Sequence, residues 1–277
     1  CTFHTCYVSS SPYGYRPSMA ANIAFLIIYT ACLAGCALVT LATRRWIIFS
    51  IPLAGACVLE IVGYSVRMGS WAEPWRASLY AVTNIFLMIA PSLISTAMYT
   101  TVPKVVQIIG KEHSLIRPDI YGYLVAIDLV AILVQLVGFI VTFSDLTAVD
   151  GLGPSAEKGA SVIAAGAGVQ FLALASFSVL FTIVIFKASM AYHEFGYTTF
   201  HKDRGYVLLG GKFKARVGMM MAATMCLLTR GVFRIMALAD GLDGSISRNE
   251  ALFVVFDGLL VAAAILCLLG LHPAYVL

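Results

Sequence analysis

Residues 77–102 read A-S-L-Y-A-V-T-N-I-F-L-M-I-A-P-S-L-I-S-T-A-M-Y-T-T-V and hold no charged side chain. At a rise of about 1.5 Å per residue, such a run is long enough as a helix to cross the roughly 30 Å hydrocarbon core of a bilayer. Inside lipid the backbone must satisfy its own hydrogen bonds, and a single segment does so only as an α-helix. The same pattern repeats outward from this stretch. Apolar runs at 20–43, 46–66, 120–144, 159–186, 217–239 and 250–271 bring the predicted spans to seven. Of 277 residues, 60% are hydrophobic and 12% charged, and the mean hydropathy is +0.91. A typical soluble domain is about 25% charged. So few charges do not cover a soluble core of this size, which excludes a soluble enzyme, a disordered chain and a nucleic-acid binder. A β-barrel would alternate in short segments instead of running apolar. The expected fold is an all-α polytopic membrane protein, seven transmembrane helices in one bundle.

Lysine and arginine set the expected orientation, because cytoplasmic flanks carry them in excess. The 44–45 turn, the 103–119 link and the 187–216 link hold eleven of them, and the opposite flanks hold five: Arg16, Arg67, Arg76, Lys158 and Arg248. This places the N-terminus outside and the C-terminus in the cytoplasm. The expected parts are an extracellular tail at 1–19, a transmembrane domain at 20–271 and a cytoplasmic stub at 272–277. The chain reads as an excerpt of a longer one. Gly151, Gly153 and Pro154 read as a loop, and the small-residue run Gly159–Gly168 as close helix packing. Of seven cysteines, five lie in apolar runs as small hydrophobes, while Cys1 and Cys6 either pair, if the tail faces an oxidising compartment, or stay free.

A charge at mid-bilayer costs about 2.5–3.5 kcal/mol on insertion scales, so each one needs a reason. Five lie inside the predicted spans away from their ends: Glu60, Asp128, Arg230, Arg234 and Asp257. With the expected topology, Glu60, Arg230, Arg234 and Asp257 share the outer half, and Asn84 and Gln135 reach similar depth. Asp128 lies deeper toward the cytoplasm. Arg230 and Arg234 are four residues apart on one helix face, and Glu60, Gly63, Tyr64 and Arg67 follow the same rule. Two readings stay open: ion pairs that fix helix register, or a partly hydrated polar cavity facing the outer leaflet. The expected ligand-contacting residues are Glu60, Tyr64, Asn84, Asp128, Gln135, Arg230, Arg234 and Asp257. At least one acid is expected within about 4 Å of Arg230 or Arg234. Pro91 and Pro52 read first as plain packing kinks, the alternative being kinks that free backbone carbonyls inside their helices.

All five histidines lie in tails, links or helix ends, and no C-x-x-C, H-E-x-x-H, G-x-S-x-G or P-loop motif occurs. No metal and no cofactor is expected, and catalysis is the lesser expectation. The expected partners are the bilayer and a lipid or amphiphilic small molecule, with no nucleic acid.

Several stretches carry a resemblance. They are Y-R-P-S at 15–18 with Asn22, E-I-V-G-Y-S-V-R at 60–67, A-P-S-L-I-S-T-A-M-Y at 90–99 and D-L-V-A-I-L-V-Q-L-V-G at 128–138. Later come R-G-V-F-R at 230–234, E-A-L-F-V-V-F-D at 250–257 and His272-Pro273. In this order the chain resembles, from about residue 15 to 273, the fungal lipid-translocating exporter family. These are the RTA-like seven-span proteins linked to aminocholesterol resistance and sphingoid long-chain-base release. The resemblance implies a plasma-membrane or vacuolar protein that moves lipids or amphiphiles and confers drug tolerance. Two positions depart from the family pattern: Ala237, where an acid is usual, and Val254, where an aromatic is common. The alternatives to an exporter are a seven-helix lipid sensor or receptor, and a membrane-embedded acid/base enzyme acting on a lipid or terpenoid.

The orientation is open to a direct check. A cysteine placed in 150–156 should react with an impermeant thiol reagent on intact cells, and one placed in 198–206 should not. The reverse pattern would invert the topology.

Overall fold

The computed structural model describes residues 5–44, 46–146, 154–197, 200–201, 205–206, 209–241 and 244–276. Seven helices long and apolar enough to cross a membrane make up an all-α bundle. They are α1 (Met19–Thr43), α2 (Ile47–Ala72), α3 (Ala77–Ile109), α4 (Tyr121–Leu146), α5 (Pro154–Phe195), α6 (Gly211–Ala239) and α7 (Glu250–Gly270). A two-residue antiparallel ladder, Phe200–His201 with Gly205–Tyr206, lies in the α5–α6 link. The loop read at Gly151 and Gly153, the possible partner Cys1, and Arg45, Lys202 and Arg204 of the basic flank lie outside the described residues.

Every predicted span is a helix, but four run further than their apolar runs. α2 continues six residues past the predicted end at 66, α3 reaches Ile109, α5 reaches Phe195 and α6 begins at Gly211. Charge ended the predicted spans, whereas helix formation needs only that backbone bonds continue and side chains find shelter or water. Pro154, expected in a loop, is the first residue of α5, a position where its missing N–H costs nothing. The short link 44–46 is made tight by two left-handed residues, Arg44 (φ 49°) and Trp46 (φ 60°).

Small residues bring α4 and α5 together as expected. A Cβ on Gly159 would stand 2.8 Å from the carbonyl oxygen of Gly138, so the two backbones touch there. Larger side chains fill the centre, where Tyr29, Phe49, Leu53, Ile94, Phe177 and Phe181 are fully buried.

The N-terminal tail folds over one end of the bundle. Trp75 Nε1 donates to the Tyr7 carbonyl, Arg16 Nε to the Trp71 carbonyl, and the Ser18 amide to Glu250 Oε1. Arg16 also lies 3.9 Å over the Trp71 ring. Cys6 in this tail is disulfide-bonded.

The opposite, basic end is closed by a polar clamp. Arg216, expected in a link, is fully buried in α6, and its Nη1 donates to the carbonyls of Leu268 and Leu271 at 2.7 Å each. It thereby serves the carbonyls that the end of α7 leaves without partners. Beside it His272 bonds Ser50 Oγ through Nε2 (3.1 Å) and accepts the Ala274 amide at Nδ1 (3.2 Å). Because Nδ1 is an acceptor, the neutral ring carries its proton on Nε2. Burial and the neighbouring Arg216 charge lower the His272 pKa from 6.5 to about 4. A histidine held neutral in the fold stabilises it above the unfolded pKa, and that contribution fades as pH falls from about 6.5 to about 4. Thermal stability of the purified protein should therefore drop over that window. The drop should shrink in His272→Gln, and an equal drop in both proteins would show that His272 is not the titrating group.

Candidate functional site

Three of the expected residues meet at the centre of the half nearer the tail. Asp257 stands between both arginines. Its Oδ1 lies 2.8 Å from Arg230 Nε, and Arg234 grips both oxygens, Nε to Oδ1 at 2.9 Å and Nη2 to Oδ2 at 2.6 Å. The fork geometry of a guanidinium against a carboxylate makes the second contact bidentate. Asn84 adds an acceptor, its Oδ1 taking Arg234 Nη1 at 3.3 Å while its own amide donates to the Tyr80 carbonyl. One acid thus lies well inside the 4 Å expected from shared depth.

Two backbone irregularities supply this geometry. Pro91 has no N–H to offer the carbonyl four residues before it, that of Leu87. Arg230 Nη2 donates to that same carbonyl at 2.7 Å, so a buried acceptor and a buried donor satisfy each other. In α7, residues Phe253–Leu259 form a π-helical stretch that contains Asp257. Such wide turns leave carbonyls outside the regular ladder, and Tyr29 Oη donates to that of Gly258 at 3.1 Å. Tyr64, another expected residue, packs here, its ring stacked 4.9 Å from Phe25 and 5.7 Å from Tyr29.

The remaining expected residues do not join the ion cluster. Glu60 is 2% exposed and makes no ion pair or hydrogen bond among the described residues. Asp128 is buried toward the basic end, both oxygens without a hydrogen-bond partner among the described residues. Gln135 belongs to a separate polar chain: its Nε2 donates to Gln170 Oε1 (3.0 Å), and Gln170 Nε2 to Ser92 Oγ (2.5 Å).

Arg67, counted among the flanks, is the residue that the sequence reading missed. It is 2% exposed. Its Nη2 donates to Tyr15 Oη at 2.8 Å and lies 3.8 Å from Glu250 Oε1. Its guanidinium carbon sits 4.0 Å over the Phe253 ring and 5.0 Å from that of Tyr13. The signal was present, since Arg67 shares a helix face with Glu60 and Tyr64.

Arg67 and Arg234 open onto a cavity of about 70 Å³, walled by Tyr13, Tyr80, Phe143 and Phe253 and bordered by Ala237. A second cavity of about 40 Å³ is lined by Arg230, Arg234 and Gln170. Met88 and Arg234 border both. A third, of about 310 Å³ and mostly apolar, lies at the basic end between α3, α5 and α6.

Removing one partner of a buried ion pair costs about 3–5 kcal/mol, because the other charge is left alone. Asp257→Asn strands two guanidiniums and should sharply lower thermal stability in detergent. Glu60→Gln breaks no ion pair and should leave it nearly unchanged. Equal melting temperatures for Asp257→Asn and the unaltered protein would contradict this assignment.

A family model described as RTA1-like protein matches residues 53–277. Among curated proteins of Saccharomyces cerevisiae, the chain is 25% identical to the sphingoid long-chain base transporter RSB1, over 96% of this chain and 75% of that protein. It is 23% identical to protein RTA1, over 80% of this chain and 65% of that protein. It is also 23% identical to protoporphyrin uptake protein 1, over 75% of this chain and 63% of that protein. No solved structure matches it. The match over most of its length shows that the chain belongs to the RTA1-like family of seven-span membrane proteins.

Proposed function

We propose that the protein moves an amphiphile across the bilayer. Its headgroup rests in the cavity at the tail end while its hydrocarbon chain stays in lipid or in the seam between α5 and α6. The observation that carries this reading is a buried guanidinium, Arg67, and a partly buried one, Arg234, facing one cavity within the bundle. A purely structural ion cluster has no need of such space, because packing closes voids that nothing fills. At about 70 Å³ the cavity suits a headgroup and excludes an acyl chain. The three cavities all touch α3, α5 and α6, which makes that seam the natural route. Two relatives carry transport or uptake in their names, one for a sphingoid long-chain base and one for protoporphyrin. Both suit a site for a molecule with a polar end and a large apolar body. The proposed setting is the plasma membrane with the tail outside, and the disulfide at Cys6 suits an oxidising face.

The test is translocation in reconstituted vesicles, using fluorescent long-chain amphiphiles with amine, carboxylate and phosphate heads. The protein should move at least one faster than protein-free vesicles do. Ala237→Phe, which fills the cavity from its wall, should cut that rate by about tenfold, equivalent to about 1.4 kcal/mol of barrier. No transport of any probe, or full transport by Ala237→Phe, would overturn the proposal.

A further inference from the structure

The charge lining the cavity says which headgroup it takes. Two guanidiniums border it, and among the described residues no carboxylate does. Asp257 lies behind Arg234, with one oxygen taken by Arg230 and Arg234 together and the other by Arg234. Glu250 lies off the cavity, its Oε1 accepting the Ser18 amide and standing 3.8 Å from Arg67. Glu60 does not line the cavity.

The two arginines differ in what they still have to give. All three nitrogens of Arg234 have an acceptor. Of the three in Arg67, only Nη2 has one among the described residues, the neutral hydroxyl of Tyr15. A buried guanidinium with five N–H donors, one hydroxyl acceptor and one long ion pair, to Glu250 at 3.8 Å, has donors left over. Arg67 itself already occupies two of the ring faces that would attract an ammonium, at 4.0 Å from Phe253 and 5.0 Å from Tyr13. An ammonium placed here would meet two cations and, among the described lining residues, no carboxylate. A carboxylate or phosphate would meet unused N–H donors, the bidentate match that arginine makes best.

We infer that the cavity binds the acidic headgroup, carboxylate or phosphate, of an amphiphile, with Arg67 as the residue that selects it. The inference rests on the amphiphile reading above and specifies its ligand class. It leaves Glu60 and Asp257, both expected to contact ligand, off the headgroup, since Asp257 is engaged by both arginines and Glu60 does not line the cavity.

The experiment is equilibrium binding to the full chain in lipid nanodiscs. The probes are hexadecyl phosphate, hexadecanoate and hexadecylamine, which share a chain and differ in charge. At least one acid should bind about tenfold or more tighter than the amine, and the phosphate and carboxylate arms show which acid is preferred. Arg67→Gln should erase the preference and Arg67→Lys should keep part of it. Because Arg67 is buried and its variants risk misfolding, Ala237→Asp provides an independent arm. It puts a carboxylate in the cavity wall one helical turn from Arg234 and should shift the preference toward the amine. Amine binding as tight as acid binding, or an unchanged preference in Ala237→Asp, would overturn the acid assignment and leave the amphiphile reading standing. Failure of all three probes to bind would remove the amphiphile reading itself.

Discussion

Asp257, itself buried, has to neutralise two arginines inside the bundle, and much of the tail-side half is arranged around that requirement. An isolated charge in hydrocarbon is expensive, and so is a half-satisfied network. The π-helical stretch of α7 holds the carboxylate, the proline of α3 frees a carbonyl for Arg230, and Asn84 takes the remaining face of Arg234. Three helices that would otherwise pack by shape alone are thereby held in one register. Buried ionic groups of this kind add little net stability and much specificity in some proteins, and here the specificity is of helix placement.

With Asp257 committed in this way, Arg67 is left with a neutral hydroxyl, ring faces and one long ion pair. The tail supplies them: Tyr13 and Tyr15 lie over the end of α2, and Glu250 reaches across from α7. The tail is thus part of the wall of the site. The two bundle ends are built differently. At the basic end Arg216 gives Nη1 to two carbonyls at the end of α7 and lies 5.0 Å over the Phe49 ring, while at the tail end Arg67 borders a cavity.

The seven spans were legible because hydrophobic length is a strong signal. Their ends were less so, and Arg67 shows why. A charged residue reads as the edge of a membrane run, yet aromatic rings shelter it and α2 continues for another turn. The meeting of Arg230, Arg234 and Asp257 followed from depth alone, since alternating helices with charges at one level tend to pair them. Depth does not give direction around the bundle axis. Gln135 shares that level, but α4 turns it toward Gln170, and nothing in a single sequence specifies that rotation. Pro91 allowed for a free carbonyl without naming its donor, and the π-helical stretch left no mark that spacing reveals.

The account turns on Arg67 being the cation that the protein leaves for its ligand. The most direct measurement is a density map of the lipid-reconstituted protein saturated with hexadecyl phosphate. The account predicts phosphate oxygens within about 3 Å of Arg67, with the Asp257 bridge between Arg230 and Arg234 intact. A headgroup seated against Glu60, or a map in which a protein carboxylate closes on Arg67 and fills the cavity, would contradict it.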